Sequence, residues 1–162
     1  MPRKCRICLP DMTYQASSRC IERKPLMRQE AMKKLMLDVL AMALEKYQFE
    51  LINYTIMDNH FHFYIKTLDD GETISRIMQF IKSQYARRYN RMMGRIGPFW
   101  NERFSDTIVE RTKNPVQTFW HMFMYMGYNP VRSRYVADPR HCVYGGFRSY
   151  TDEGYVSPLN IS

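Results

Sequence analysis

The spacing of apolar residues changes along this chain, and each change marks an element. From Phe49 to Ile56, Ile52, Tyr54 and Ile56 alternate with Leu51, Asn53 and Thr55, the two-residue period of a strand. The same period returns from His60 to Lys66, where Phe61, Phe63 and Ile65 share one face while His60, His62, Tyr64 and Lys66 share the other. Met57-Asp58-Asn59 between them has turn chemistry, so the two strands are expected to pair as an antiparallel hairpin. A weaker alternation between Met12 and Ile21, around Tyr14 and Ala16, predicts an earlier strand, which Pro25 breaks off. From Leu26 to Tyr47, Met32, Leu35, Met36, Val39, Leu40 and Ala43 recur three and four apart, which is a helix with one apolar stripe.

Asp69-Asp70-Gly71 closes the hairpin, and Thr73 is placed to cap a second helix reaching Met93. Ile74, Ile77, Met78, Ile81 and Tyr85 form its inward stripe, and Gly94 with Gly97-Pro98 ends it. Phe99 to Glu110 reads as a fourth strand. Strand, helix, strand, strand, helix, strand is the split βαβ order, so the fold class is α+β: a ferredoxin-like antiparallel sheet with helices on one face. The uncovered face would carry His60 and His62.

A third helix is predicted from Asn114 to Tyr128, with Pro115 in its first turn and Asn129-Pro130 as its stop. Val116, Phe119, Trp120, Phe123 and Gly127 form the expected packed stripe; His121, Tyr125 and Asn129 line the next one. The loop-rich chain beyond it, with Gly145-Gly146 and Pro158, is expected to pack loosely. The 162 residues thus divide into a basic arm (1–11), a core (12–150) and a tail (151–162) within one domain.

Charge adds a partner to this picture. Lys and Arg total 24 against 16 Asp and Glu, a net +8, which suits a polyanion. Arginines gather at Arg3/Arg6, at Arg87/Arg88/Arg91/Arg95/Arg103 and at Arg132/Arg134, and their forked guanidinium groups match phosphate. No apolar run approaches the ~20 residues that span a bilayer, and no apolar leader follows Met1, so a cytoplasmic location without a membrane partner is expected. Cys5-x-x-Cys8 has zinc-ligand spacing but no second pair, which makes reduced thiols the expectation for all four cysteines.

The candidate chemistry lies in the hairpin and the third helix. Two imidazoles about 7 Å apart along a strand can close onto one cation, although a solvated pair on a polar face has the same sequence. Asn129 offers a carbonyl oxygen one helical turn from Tyr125. Two imidazoles and an amide suit Mg²⁺ or Mn²⁺ when a substrate phosphate completes the shell. A phenol beside such a cation is a candidate nucleophile on phosphorus. Singly, Tyr125 is read as an interfacial tyrosine and Asn129 as a helix cap; jointly with His60 and His62 they favour phosphoryl transfer.

At these positions the chain resembles the single-tyrosine HUH transposases, in particular the REP-associated tyrosine transposases. Those proteins carry a His-apolar-His strand, here His60-Phe61-His62, and a later helix reading Tyr-x-x-x-Asn-Pro-Val-Arg, here Tyr125 to Arg132. Met1-Pro2-Arg3 with Tyr14, Tyr89-Asn90, Gly97 with Trp100, Arg103-Phe104 and Asp138-Pro139 extend the likeness over nearly the whole chain. The resemblance implies metal-dependent cleavage and rejoining of single-stranded DNA, with His60, His62 and Asn129 as ligands. Tyr125 would be the nucleophile, leaving a 5′-phosphotyrosine link and a free 3′-hydroxyl. It also implies hairpin DNA as partner, held by Arg3, Lys4, Arg6, Arg87, Arg88, Arg103 and Arg132, and action as a monomer or homodimer. Three departures stand out: Asp58 where many relatives have proline, Tyr144-Gly145-Gly146 for Trp-Ser-Ser, and Arg134-Tyr135 after Asn-Pro-Val-Arg.

A non-catalytic module stacking single-stranded bases on its sheet is the alternative of another class. A two-histidine phosphoesterase would need a second His-x-Ser/Thr, which neither His121-Met122-Phe123 nor His141-Cys142-Val143 supplies.

Overall fold

The alternation in the histidine strand sorts the whole molecule into layers. The computed structural model describes residues 5–159 and 161, so Arg3 and Lys4 lie outside the described residues. Strands β1 (Thr13–Arg19), β2 (Phe49–Ile56), β3 (His60–Thr67) and β4 (Ser105–Ile108) form one sheet in the order β2-β3-β1-β4. Every pairing is antiparallel. Helices α1 (Glu30–Lys46) and α2 (Ile74–Met93) lie on one face, and α3 (Pro115–Arg132) packs against the other. This is the expected α+β, ferredoxin-like arrangement.

Phe61, Phe63 and Ile65 are fully buried with the apolar stripes of α1 and α2. All six residues expected to face inward from α1 are buried, as are all five expected from α2, with Tyr89 added. Full burial of such side chains contributes about 1.5–3 kcal/mol apiece. The Thr73 hydroxyl accepts from the Arg76 amide, and Gly94 ends α2 in the left-handed region at φ 59°. Only glycine adopts that conformation without a Cβ penalty.

Five expectations are corrected. Helix α1 starts at Glu30 rather than Leu26, because Met27 is fully buried with its amide donating to the Asp58 carbonyl, which commits that stretch to a turn. Strand β4 is shorter than Phe99–Glu110: Phe99 and Phe104 fold into the core, and Val109–Arg111 forms a 3₁₀ turn. Helix α3 does not stop at Asn129-Pro130 but runs through Pro130 to Arg132. Proline removes the amide that would bond the carbonyl four residues back, here Met126. The Thr55 hydroxyl donates to that carbonyl instead, at 2.9 Å. The packed side of α3 also differs, since Val116 and Trp120 are exposed and Phe123, Met126, Gly127, Asn129 and Pro130 are buried.

The chain after α3, the last of the five, is not loosely packed. Gly146, Phe147 and Leu159 are buried, the Ile56 amide donates to the Tyr144 carbonyl, and the Tyr150 hydroxyl donates to the Ile52 carbonyl. This segment covers the outer edge of β2 and supports the back of α3.

A bulge in β2 decides which of its residues meet α3. Leu51 pairs with Ile65, but the next register pair is Asn53 with Tyr64, so Ile52 is an extra residue. One inserted residue exchanges the faces of everything after it. Leu51, Tyr54 and Ile56 therefore all enter the core of α1 and α2, while Ile52 packs with Tyr64 beneath α3. Thr55 pairs with His62 and shares its face.

Candidate active site

His60 and His62 stand side by side on the α3 face of β3, ring centroids 5.2 Å apart and nearly perpendicular. The antiparallel register sets Arg19 opposite His60 and Ser17 opposite His62 on β1, with Thr55 opposite His62 on β2. Helix α3 crosses above them. Because it continues past Pro130, Asn129 stays helical one turn beyond Tyr125, and the two side chains arrive together.

Asn129 is 7% exposed, and its Nδ2 stands 3.4 Å from His62 Nε2. The same amide hydrogen-bonds the His60 ring. The Tyr125 ring meets His62 edge-on at 5.6 Å and 90°, with the Arg132 guanidinium 5.5 Å from the centre of the phenol ring. Tyr125 is 43% exposed, so its hydroxyl is open to a large substrate. Tyr128 turns instead toward Phe147, at 6.0 Å.

The outer nitrogens of both imidazoles are also engaged. His60 Nδ1 is 2.6 Å from Asn59 Oδ1, and His62 Nδ1 is 2.8 Å from Gln15 Nε2. Burial and the Arg19 charge lower the His60 pKa, and burial with His60 and Arg19 lowers that of His62 to about 3. Both rings are therefore neutral at pH 7, the state in which imidazole ligates a cation.

Among the described residues, no group of three His, Cys, Asp or Glu could hold a metal ion. Were a cation to sit on the imidazoles, the Asn129 amide, whose Nδ2 stands 3.4 Å from His62 Nε2, would be the group at hand to offer a neutral oxygen. This donor set, two nitrogens and one amide oxygen with an open approach, fits a divalent cation that takes its remaining ligands from phosphate.

Two depressions flank the imidazoles. Toward β1 and β4, a cleft of about 210 Å³ is lined by Ser17, Arg19, Arg23, His60, His62 and Arg103. Toward α3, a depression of about 560 Å³ is lined by Gln15, His121, Tyr125, Tyr128 and Arg132 among others. The first is cationic and the second aromatic, which suits a nucleotide strand crossing the histidines.

The predicted basic residues divide accordingly. Arg103 and Arg132 lie at the site. Arg6 pairs with Asp106 and stacks 3.6 Å over Phe104, bracing β4. Arg87 and Arg88 are exposed on α2, in the layer across the sheet from the imidazoles. Sequence reasoning misses Arg19, Arg23, Gln15 and Asn59; only the strand register brings Arg19 and Gln15 to the histidines. The base-stacking alternative loses its platform, because Phe61 and Phe63 are fully buried against the helices. Cys5 and Cys8 carry free thiols, and Cys8 Sγ bonds Ser75 Oγ instead.

Comparison with known proteins places these features in context. The family described as IS200-like transposases matches residues 8–119, which includes both histidines and ends just before Tyr125. No curated protein matches. The solved structure of a REP-associated tyrosine transposase bound to a REP hairpin superimposes with a TM-score of 0.74 at 16% identity, over 100% of this chain and 93% of that one. A Deinococcus radiodurans R1 structure in the transposase class aligns at a TM-score of 0.48 and 14% identity, over 76% of this chain and 94% of the other. Among the described residues no helix is long and apolar enough to cross a membrane.

Proposed function

The chain belongs to the family of IS200-like transposases, DNA-cleaving enzymes, and from that premise we propose that Tyr125 cuts and rejoins single-stranded hairpin DNA beside a cation held by His60, His62 and Asn129. The observation that carries this reading is that one turn of α3 delivers both Tyr125 and Asn129 to His62.

In the proposed reaction the Tyr125 phenolic oxygen attacks the phosphorus. The bond from phosphorus to the 3′-oxygen breaks as the new one forms; the phenol gives up its proton and the departing oxygen ends as a 3′-hydroxyl. The product is a 5′-phosphotyrosine link that retains the phosphodiester's free energy, so a second 3′-hydroxyl can reverse the step without ATP. Bound Mg²⁺ or Mn²⁺ would supply Lewis-acid polarisation of the phosphoryl oxygen. Arg19, Arg23 and Arg103 hold the strand in the cationic cleft, and Arg132 orients the Tyr125 ring. A single chain contains the whole set, which supports action as a monomer.

The REP hairpin in the similar solved structure makes hairpin DNA the substrate form to try first. The test incubates the protein with end-labelled hairpin oligonucleotides and Mn²⁺ or Mg²⁺, then resolves products under denaturing conditions. A covalent protein–DNA adduct with release of a 3′-hydroxyl fragment is expected. Tight binding without any adduct would overturn the proposal in favour of a non-catalytic binding module.

A further inference from the structure

We propose that Asn59 is a positioning residue that fixes the tautomer of His60, and that Gln15 does the same for His62. This inference rests on the reading of His60, His62 and Asn129 as a cation site.

A strained turn sets the geometry. Glu22 and Arg23, neither of them glycine, take positive φ values of 53° and 55°. Strain of this kind persists where the surrounding structure over-determines it, and it gathers at functional sites. Here it aims the Arg23 carbonyl at Asn59, whose Nδ2 donates to it at 3.0 Å. A carbonyl can only accept, so the NH₂ end of that amide is committed to Arg23. Oδ1 is then the atom that faces His60 Nδ1, at 2.6 Å. An amide oxygen can only accept in turn, so Nδ1 of His60 must carry the proton. The lone pair of the neutral ring is left on Nε2.

The backbone locks this arrangement from both sides. The Cys20 amide donates to the Asn59 carbonyl and the Met27 amide to the Asp58 carbonyl, each at 2.8 Å. Asn59 is thus more than a turn residue: its side chain transmits the orientation of the Ile21–Arg23 turn to the histidine. Outer partners of this kind fix ring orientation and raise ligand basicity at metal sites.

For His62 the constraint comes from counting protons. Gln15 Nε2 stands 2.8 Å from Nδ1 and Asn129 Nδ2 3.4 Å from Nε2, two amide donors facing one ring. A neutral imidazole accepts at one nitrogen only. One of the two amides must therefore be turned over; turning Gln15 so that its oxygen meets Nδ1–H gives both rings one tautomer and leaves both Nε2 lone pairs on the Asn129 side. The opposite choice would put a proton on the His62 Nε2 where a cation must sit.

The experiment uses the full chain labelled with ¹⁵N-histidine and free of metal. Long-range ¹H–¹⁵N correlation reads the tautomer of each ring, with His60 assigned by its loss in His60→Gln. Both rings are expected as Nδ1–H. Mn²⁺ titration is the second readout: Asn59→Ala should weaken binding 10- to 100-fold, while Asn59→Asp, which keeps the acceptor oxygen, should bind close to wild type. Thermal melts separate this loss from unfolding, and the wild-type tautomer needs no variant. A wild-type His60 protonated on Nε2, or an Asn59→Ala protein binding Mn²⁺ like wild type, overturns the role of Asn59. Wild-type protein that binds no Mn²⁺ while His60 is Nδ1–H overturns the cation site itself, and the positioning role with it.

Discussion

Thr55 on β2 donates its hydroxyl to the Met126 carbonyl, the acceptor that Pro130 leaves without its helical amide. A strand thereby repairs a helix, and the repaired turn is the one that carries Asn129. Thr55→Val keeps the shape and strands the carbonyl, which costs about 1–3 kcal/mol. Calorimetric unfolding should show that loss, accompanied by slower adduct formation because Tyr125 and Asn129 lose their seat.

Tyr125→Phe should bind hairpin DNA near normally and form no covalent adduct, whereas Tyr128→Phe should retain the adduct. Gel mobility under native and denaturing conditions distinguishes the two. An adduct in Tyr125→Phe that vanishes in Tyr128→Phe would reassign the nucleophile.

Gly127 is where α3 rests on the C-terminal segment. A Cβ there would stand 2.3 Å from Phe147 Cδ2, an overlap that the buried Phe147 ring cannot easily relieve. Gly127→Ala should destabilise the protein by about 1–3 kcal/mol. Adding Phe147→Leu should recover part of that, as positive coupling in a double-mutant cycle.

Asp58 ties the hairpin turn to two other segments. It accepts from Lys33 Nζ at 2.7 Å and Arg28 Nε at 3.2 Å, and it hydrogen-bonds Tyr135. Burial pushes the carboxyl pKa up, but Lys33, Tyr135 and Arg28 together hold it below the ordinary 3.8. A depressed folded value means stability that is present above 3.8 and lost as pH falls through the lowered one. Asp58→Ala leaves the partly buried Lys33 without its carboxylate, a cost of about 1–3 kcal/mol at neutral pH. The gap in melting temperature between wild type and variant should narrow below pH 3.8.

Binding of single-stranded DNA should weaken steeply with salt. If Arg19, Arg23, Arg103 and Arg132 each meet a phosphate, log K falls by about 2.8 per decade of salt, at ~0.7 per contact. Replacing any one of them with Ala should lower the slope by about 0.7. Arg6→Ala should instead lower stability with the slope unchanged, since that guanidinium is committed to Asp106 and Phe104.

The histidine strand is legible in the sequence because local period and burial agree there; alternation also bounds β2 at Phe49 and Ile56, but it sets Ile52 with Tyr54 and Ile56, since nothing local announces the bulge. The inward stripes of α1 and α2 emerge from three-and-four spacing for the same reason. Helix α3 is harder. Proline ends most helices, and nothing near Pro130 in sequence announces that Thr55 will take its carbonyl partner. The exposed Val116 and Trp120 mislead because amphipathic spacing does not tell how far along its length a helix stays in contact with the sheet. The histidines, Tyr125 and Asn129 are visible as motifs, and the structure brings them together. Their neighbours Gln15, Arg19 and Arg23 are not, because they reach the site only through strand register and a strained turn.

The extra residue in β2 makes the site sensitive to chain length at a point remote from it. Removing Ile52 would regularise the ladder and leave Thr55 opposite His62, whereas adding one more residue between Leu51 and Thr55 would carry Thr55 into the opposite layer and leave Met126 without its donor. Point substitutions along this edge strand therefore have room to drift, whereas a single-codon insertion there would uncouple helix from sheet. Natural variation in this protein should not lengthen that strand even where it rewrites its letters.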